Sequence, residues 1–90
     1  MESLINEIFR NGQDEPFKKG QYIRFRANNN SYFYGIIDNV YDNHCEVSYG
    51  YKSTLKKFLR RDCNLDYFCD VDFTEIELLE YTDIEELLSA

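Results

Sequence analysis

The sequence predicts an α+β fold in which short helices flank a small, strongly bent antiparallel sheet. In the middle of the chain, apolar residues alternate with polar ones, as they do in half-buried strands. Two clusters of turn-forming residues, "ANNNS" and "YDNH", separate these alternating segments. Apolar residues recur at helical spacing near both ends. A chain of 90 residues is the size of one domain with a modest core.

The opening segment predicts a helix over about residues 3–11. Leu4, Ile5, Ile8 and Phe9 fall on one stripe at helical spacing. The segment has an acid but no cluster of basic residues before its apolar stretch, so it does not have the pattern of a secretory signal. We therefore expect a cytoplasmic protein. No apolar run approaches the roughly 18 residues that a membrane-spanning helix needs, and no membrane partner is expected.

Three strands are predicted in the middle of the chain, at about residues 21–27, 31–41 and 44–51. Ile23 and Phe25 alternate with polar residues in the first, and Val47 does so in the third, so we expect these side chains in the core together with Ile37. Gly35 lies inside the second strand, where glycine indicates a bend or a bulge. A strongly bent second strand would let a small sheet close on itself.

The second half of the chain predicts two more helical segments and a closing strand. "STLKKFLRRD" has a helical stripe that includes Leu59, which we expect in the core, and Ser53 is a candidate cap. "CNLDYFCDVD" is predicted to be irregular or partly extended. Residues 74–81 fit either a closing strand or a helix, and the strand is favoured. Thr82 and Glu85 make a capping-box pattern, which predicts a helix over about 83–89 with Ile84, Leu87 and Leu88 inward.

The predicted strands resemble small SH3-like barrels of the Tudor and KOW kind. Such barrels open with a Gly-x-x-Ile strand, here Gly20 to Ile23, and continue with Tyr-Gly-x-Ile, here Tyr34 to Ile37. A tight turn then leads to a third strand, here with Val47. The resemblance covers about residues 17–81 and implies a binding module. The chain length predicts one domain over 1–90, with a helix and acidic connector at 1–15, a barrel-like core at 16–81 and a helix at 82–90, so that the two terminal helices are additions to the barrel.

The sequence offers little to carry catalysis, a metal or a cofactor, so we expect none of the three. There is one histidine, His44, and no glycine-rich phosphate loop. The three cysteines contain no Cys-x-x-Cys pair. His44 and Cys45 are neighbours on a predicted strand and would point to opposite faces, which disfavours a shared zinc ion.

Charge is distributed unevenly along this acidic chain, whose formal charge is −7. Residues 1–15 have four acids and one base, for a net charge of −3. Residues 16–61 have nine bases and three acids, for a net charge of +6. Residues 62–90 have ten acids and no base, for a net charge of −10. One explanation is internal neutralisation, in which the acidic ends pack beside the basic middle.

Three candidate binding surfaces follow. A groove of aromatic residues, suited to a peptide or a cationic side chain, would consist of Tyr22, Tyr32, Tyr34, Tyr49 and Tyr51. A basic patch would consist of Lys52, Lys56, Lys57, Arg60 and Arg61. An acidic face would consist of Asp70, Asp72, Glu75, Glu77 and Glu80.

The function expected from these surfaces is non-catalytic binding of another protein, as a small adaptor or inhibitor. Two alternatives remain open. The acidic face could bind a basic partner by imitating the charge of a phosphate backbone. In size and charge the chain resembles small acidic nuclease inhibitors made by phages and other mobile elements. The basic patch with its tyrosines could instead bind nucleic acid, which the acidic C-terminal third disfavours.

Overall fold

The computed structural model describes residues 16–89, and in this part of the chain five strands and two α-helices form an α+β fold. In chain order the elements are β1 (Tyr22–Arg26), β2 (Tyr32–Val40), β3 (His44–Gly50), α1 (Lys52–Leu59), β4 (Tyr67–Asp72), β5 (Ile76–Leu78) and α2 (Tyr81–Ser89). The strands form one antiparallel sheet in the order β4-β3-β2-β1-β5. The predicted α+β class and antiparallel sheet are confirmed, whereas the predicted N-terminal helix lies outside the described residues.

One face of the sheet, which we call the core face, carries the larger apolar cluster. Alternation along β1 places Ile23 and Phe25 on this face, and the register brings Ile37 and Val47 beside each other on it. All four are buried, as predicted. Phe17, which precedes β1, packs its ring 5.3 Å from that of Phe73 and extends the cluster.

The opposite face, which we call the helix face, packs against both helices. Leu55 from α1 and Leu87 from α2 form a second buried cluster with Tyr34 of β2. Leu55 is fully buried, because it lies at the centre of the apolar stripe of α1. Leu59, which was predicted to be core, is only half-buried at the end of that helix. Ser53 does not cap α1 as predicted, because the helix begins one residue before it.

A close approach between β2 and β3 explains Gly35, and the sheet irregularity lies elsewhere. A β-carbon on Gly35 would lie 2.0 Å from the backbone oxygen of Ser48. Glycine therefore permits the strands to approach at this point. The register of β2 against β3 shifts between Ile37 and Asn39, so the bulge lies further along the strand than the predicted position at glycine.

The segment predicted to be irregular or partly extended contains a six-residue strand, β4. It pairs with β3 from Tyr49↔Tyr67 to His44↔Asp72. A 3₁₀ turn at Phe73–Glu75 then leads into β5, which pairs with β1. The favoured prediction of a strand followed by a helix is therefore confirmed. β4 and β5 lie at opposite edges of the sheet, although the turn between them has only three residues.

The C-terminal helix α2 is confirmed, but its capping differs from the prediction. The carboxylate of Asp83 accepts a hydrogen bond from the backbone N–H of Glu80 at 2.8 Å. This is the reach-back half of a capping box placed two residues earlier than the Thr82 pattern suggests. Leu87 is buried as predicted, whereas Leu88 is exposed. Neither helix in the described part of the chain has the length and apolar character needed to cross a membrane.

Candidate functional site

The five tyrosines of the predicted groove are divided between the two faces of the sheet. Tyr22, Tyr32 and Tyr34 lie on the helix face, because their positions alternate in register on β1 and β2. Tyr49 pairs with Gly35 and therefore lies on the core face. Tyr51 is the residue before α1. The structure therefore does not bring all five together into one groove.

Two arginines of the chain itself lie over the ring of Tyr32 on the helix face. The guanidinium of Arg24 lies 4.3 Å from the centre of the Tyr32 ring, and that of Arg26 lies 5.4 Å from it. Hydrogen bonds to Glu77 and then to Tyr34 raise the pKa of Arg24. These internal cation–π contacts give Tyr32 a structural role.

A continuous aromatic surface lies instead at one end of the core face. We call it the aromatic strip: Phe33, Tyr49, Tyr51 and Tyr67. The ring of Phe33 lies 4.9 Å from that of Tyr49 and 5.8 Å from that of Tyr51. The ring of Tyr67 lies 5.8 Å from that of Tyr49. These four residues and Gly50 line a shallow pocket of about 220 Å³.

The strip is exposed at both ends and supported from within. Tyr51 is 66% exposed and Tyr67 is 63% exposed. Phe25, which is buried, contacts the rings of Phe33 and Tyr49 at 5.6 and 5.4 Å. Burial raises the pKa of Tyr49, as do its neighbours Cys69 and Tyr67. The strip is therefore an outward continuation of the hydrophobic core.

Sequence reasoning missed two members of the strip. Phe33 shares a face with Tyr49 only through the register of β2 against β3, which the sequence does not state. Tyr67 lies on β4, a segment not clearly recognised as a strand. Alternation of Cys69 and Val71 with Asp70 and Asp72 is the signal that could have revealed this strand.

A larger cleft of about 580 Å³ lies where the two helices meet the helix face. Tyr34, Leu79 and Leu87 are among its apolar lining residues. Its charged lining residues are Arg24, Lys52, Lys56, Asp83 and Glu86. Basic residues of α1 and acidic residues of α2 therefore line the same cleft.

The predicted basic patch is carried by α1 and the turn that follows it. Lys52 and Lys56 line the cleft, and Lys57 and Arg61 are exposed. Arg60 donates a hydrogen bond from Nη2 to the backbone oxygen of Leu88, at 2.6 Å. Since that oxygen lies in the last turn of α2, the guanidinium complements the negative end of the helix dipole.

The predicted acidic face is spread over several elements. Asp70 and Asp72 lie on β4, whereas Glu77 lies on β5 at the other edge of the sheet. Glu75 is in the 3₁₀ turn between these strands, and Glu80 precedes α2. Glu77 forms an ion pair with Arg24, with 2.7 Å between Oε1 and Nε. The five carboxylates therefore do not line one strand.

A different group of acids lies together on the helix face, on strands β2, β3 and β4. Glu46 on β3 pairs directly with Asp70 on β4, and both line a pocket of about 430 Å³ with Asp38 and Phe68. Ser48 Oγ donates a hydrogen bond to Asp38. Within the described residues, no Lys or Arg forms an ion pair with any of these three acids. Like charges directly opposed across strands reduce stability, and among residues 16–89 no basic side chain offsets this pairing of Glu46 with Asp70 by an ion pair.

The residues weighed as zinc ligands are not gathered at one point. Cys45 is buried on the core face, while His44 stacks on Tyr41 with 4.9 Å between ring centres. Across residues 16–89, no group of three or more His, Cys, Asp or Glu side chains is placed to hold a metal ion.

Comparisons with protein-family models, with curated proteins and with solved structures find no match to this chain.

Proposed function

We propose that this chain is a non-catalytic protein-binding module and that the aromatic strip is its contact surface. The observation that carries the proposal is the exposure of Tyr51 and Tyr67, at 66% and 63%, on either side of a shallow aromatic pocket. Contiguous exposed apolar surface marks interaction sites. Tyrosine is enriched in protein interfaces because it combines a large apolar ring with a polar hydroxyl.

The support beneath the strip favours binding at low entropic cost. The ring of Tyr51 contacts Phe33, that of Tyr67 contacts Tyr49, and both inner rings contact buried Phe25. Side chains that are restrained before binding lose less conformational freedom when a partner docks. The strip is therefore suited to act as a preformed anchor for a partner.

A barrel-like curl of the sheet is part of the proposal, as the SH3-like resemblance implies. Five strands spaced by about 4.8 Å would place the two edges of a flat sheet about 19 Å apart. The three residues of Phe73–Glu75 connect those edges, and they span at most about 14 Å even when extended. The 3₁₀ conformation is shorter still, at about 2 Å per residue. The short connection therefore supports a curled sheet.

The distribution of charge favours a protein partner over nucleic acid. Lys52 and Lys56 share the cleft with acids of α2, and Arg60 binds the end of that helix. A phosphate backbone that approached these bases would also approach Asp83 and Glu86. The acids of α2 therefore lie close to part of the basic patch, which is the arrangement that internal neutralisation requires.

The test is capture of a partner by the full chain, followed by serine substitutions of exposed tyrosines. Tyr51→Ser and Tyr67→Ser should each weaken a captured partner's affinity by about tenfold or more, since buried interface tyrosines often contribute at least about 1–2 kcal/mol. Tyr81 is a matched control, because it is 75% exposed on α2 and is not part of the strip. A partner that loses affinity only with Tyr81→Ser would refute the proposed surface.

A further inference from the structure

We propose that the outer edge of β4 binds an extended, basic segment of a partner protein as an additional strand. This inference rests on the proposed protein-binding function and specifies the partner's chemistry. The partner segment should alternate Lys or Arg with apolar residues. Backbone hydrogen bonds would provide much of the affinity and the alternating side chains the specificity.

The edge itself is long enough to accept a strand. β4 has six residues, and among the described residues its only neighbour in the sheet is β3. In a strand paired on one side, alternate residues direct N–H and C=O groups away from the sheet. The other edge strand, β5, has three residues and includes Glu77, which is already paired with Arg24. β4 is therefore the better template.

Asp70 and Asp72 are charges of the kind that protect a sheet edge from aggregation, but the two aromatic side chains at the start of β4 favour contact. Phe68 is 70% exposed and adjacent Tyr67 is 63% exposed, and they project from opposite faces of the strand. Edges that only resist aggregation carry charges, prolines or bulges. Two large exposed aromatic rings have the opposite effect, because they add apolar area that an incoming strand would cover.

Charge identifies the incoming strand as basic. Asp70 and Asp72 lie on the helix-face side of β4, and Glu46 lies opposite Asp70 on β3. A second copy of this chain pairing through β4 would bring these aspartates close to their own copies. The chain's residues 1–15 have a net charge of −3 and would also be repelled. Lysine or arginine on the helix-face side would relieve the repulsion between Glu46 and Asp70.

The two sides of β4 predict an alternating ligand. Side chains of an added strand would alternate between the sheet faces, as those of β4 do. On the helix-face side they would meet Phe68, Asp70 and Asp72, which suits Lys or Arg. On the core-face side they would meet Tyr67 and Cys69, next to the aromatic strip, which suits apolar residues.

The probe is a capped seven-residue peptide, Val-Lys-Val-Lys-Val-Lys-Val, titrated against the full chain by calorimetry at low salt. Two N-methylated versions provide matched controls, one methylated at the lysines and the other at the inner valines. Methylation of alternate residues blocks hydrogen bonding along only one edge of a strand. The version whose blocked amides face β4 should bind more weakly, at about 1 kcal/mol for each lost hydrogen bond: about 100-fold if these are the three lysine amides, and about 30-fold if they are the two inner valine amides. The other version should stay within about threefold of the parent peptide.

Charge variants test the acidic side of the edge. Asp70→Asn combined with Asp72→Asn should weaken peptide binding roughly tenfold and reduce its salt dependence. Glu80→Gln combined with Glu85→Gln removes the same charge from exposed positions outside β4 and should leave binding unchanged. Hydrogen exchange should slow at β4 when the peptide binds, because edge amides acquire partners.

The outcomes separate this inference from the proposed function. Equal losses for both N-methylated peptides, or no binding by the parent peptide, would overturn strand addition at β4. If a captured partner still depended on Tyr51, the proposed function would stand without it. Conversely, peptide binding with protection of β4, together with partners insensitive to Tyr51→Ser, would retain the edge site and refute the aromatic strip as the contact surface.

Discussion

Leu55→Ala should show that one side chain holds α1 on the sheet. Leu55 is fully buried and packs with Tyr34 and Leu87. Truncation of a buried leucine costs about 3–5 kcal/mol, from lost apolar burial and the cavity left behind. A domain of this length has a total stability of about 5–13 kcal/mol. A loss of about 3 kcal/mol should lower Tm by about 12–24 °C, which circular dichroism melting would measure.

Leu88→Ala is the matched control for this experiment. It makes the same chemical change on the neighbouring helix, but Leu88 is 41% exposed. Its cost should be below about 1 kcal/mol, because little buried surface is lost and no closed cavity forms. Equal stability losses for the two variants, measured by urea unfolding, would show that Leu55 is not the anchor and that α1 does not pack on the helix face as described.

Three other perturbations test the fold and its electrostatics. Gly35→Ala should destabilise the chain far more than Gly20→Ala in urea unfolding, because the new β-carbon at Gly35 would overlap backbone, whereas at Gly20 it costs only about 1–2 kcal/mol of backbone strain. Glu77→Gln should cost less than about 1 kcal/mol at low salt and nothing measurable at high salt, since both partners of the pair with Arg24 are partly exposed to solvent. Burial raises the pKa of Tyr49 above its usual 10.0, so the folded state holds this proton more tightly than the unfolded state does. The stability of the native chain should therefore fall as the pH rises through the folded pKa. Tyr49→Phe should lose less stability above pH 10, because phenylalanine has no proton to release.

The alternation of apolar and polar residues predicted the first three strands well. It could not predict which side chains pair across neighbouring strands. Alternation located β1, β2 and β3 to within one residue at each end. It could not place Tyr49 and Tyr34 on opposite faces, because that depends on the register of β2 against β3. β4 was harder to recognise, since Phe68, Asp70 and Asp72 make its sequence look like an exposed irregular segment.

The sequence indicated that aromatic residues would form a surface, but not which aromatic residues would lie together. Tyrosine-rich strands indicated an aromatic surface, and two of its four members, Tyr49 and Tyr51, were named from the sequence. Phe33 joins it through a cross-strand contact, and Tyr67 through a strand distant in sequence. The residues of the predicted acidic face are dispersed for a related reason: the three-residue turn at Phe73–Glu75 places Asp72 and Glu77 at opposite edges of the sheet.

The order of the strands in the sheet explains how the uneven charge along the chain is arranged in space. The acidic C-terminal third divides into two parts with different neighbours. Glu77 on β5 pairs with Arg24, and Asp83 on α2 shares a cleft with the bases of α1. Asp70 on β4 lies at the other edge, where its neighbour is Glu46. The 3₁₀ turn therefore separates acids placed beside bases from acids opposed by acids, and the repulsion left at β4 favours a basic strand from another molecule over a second copy of this one.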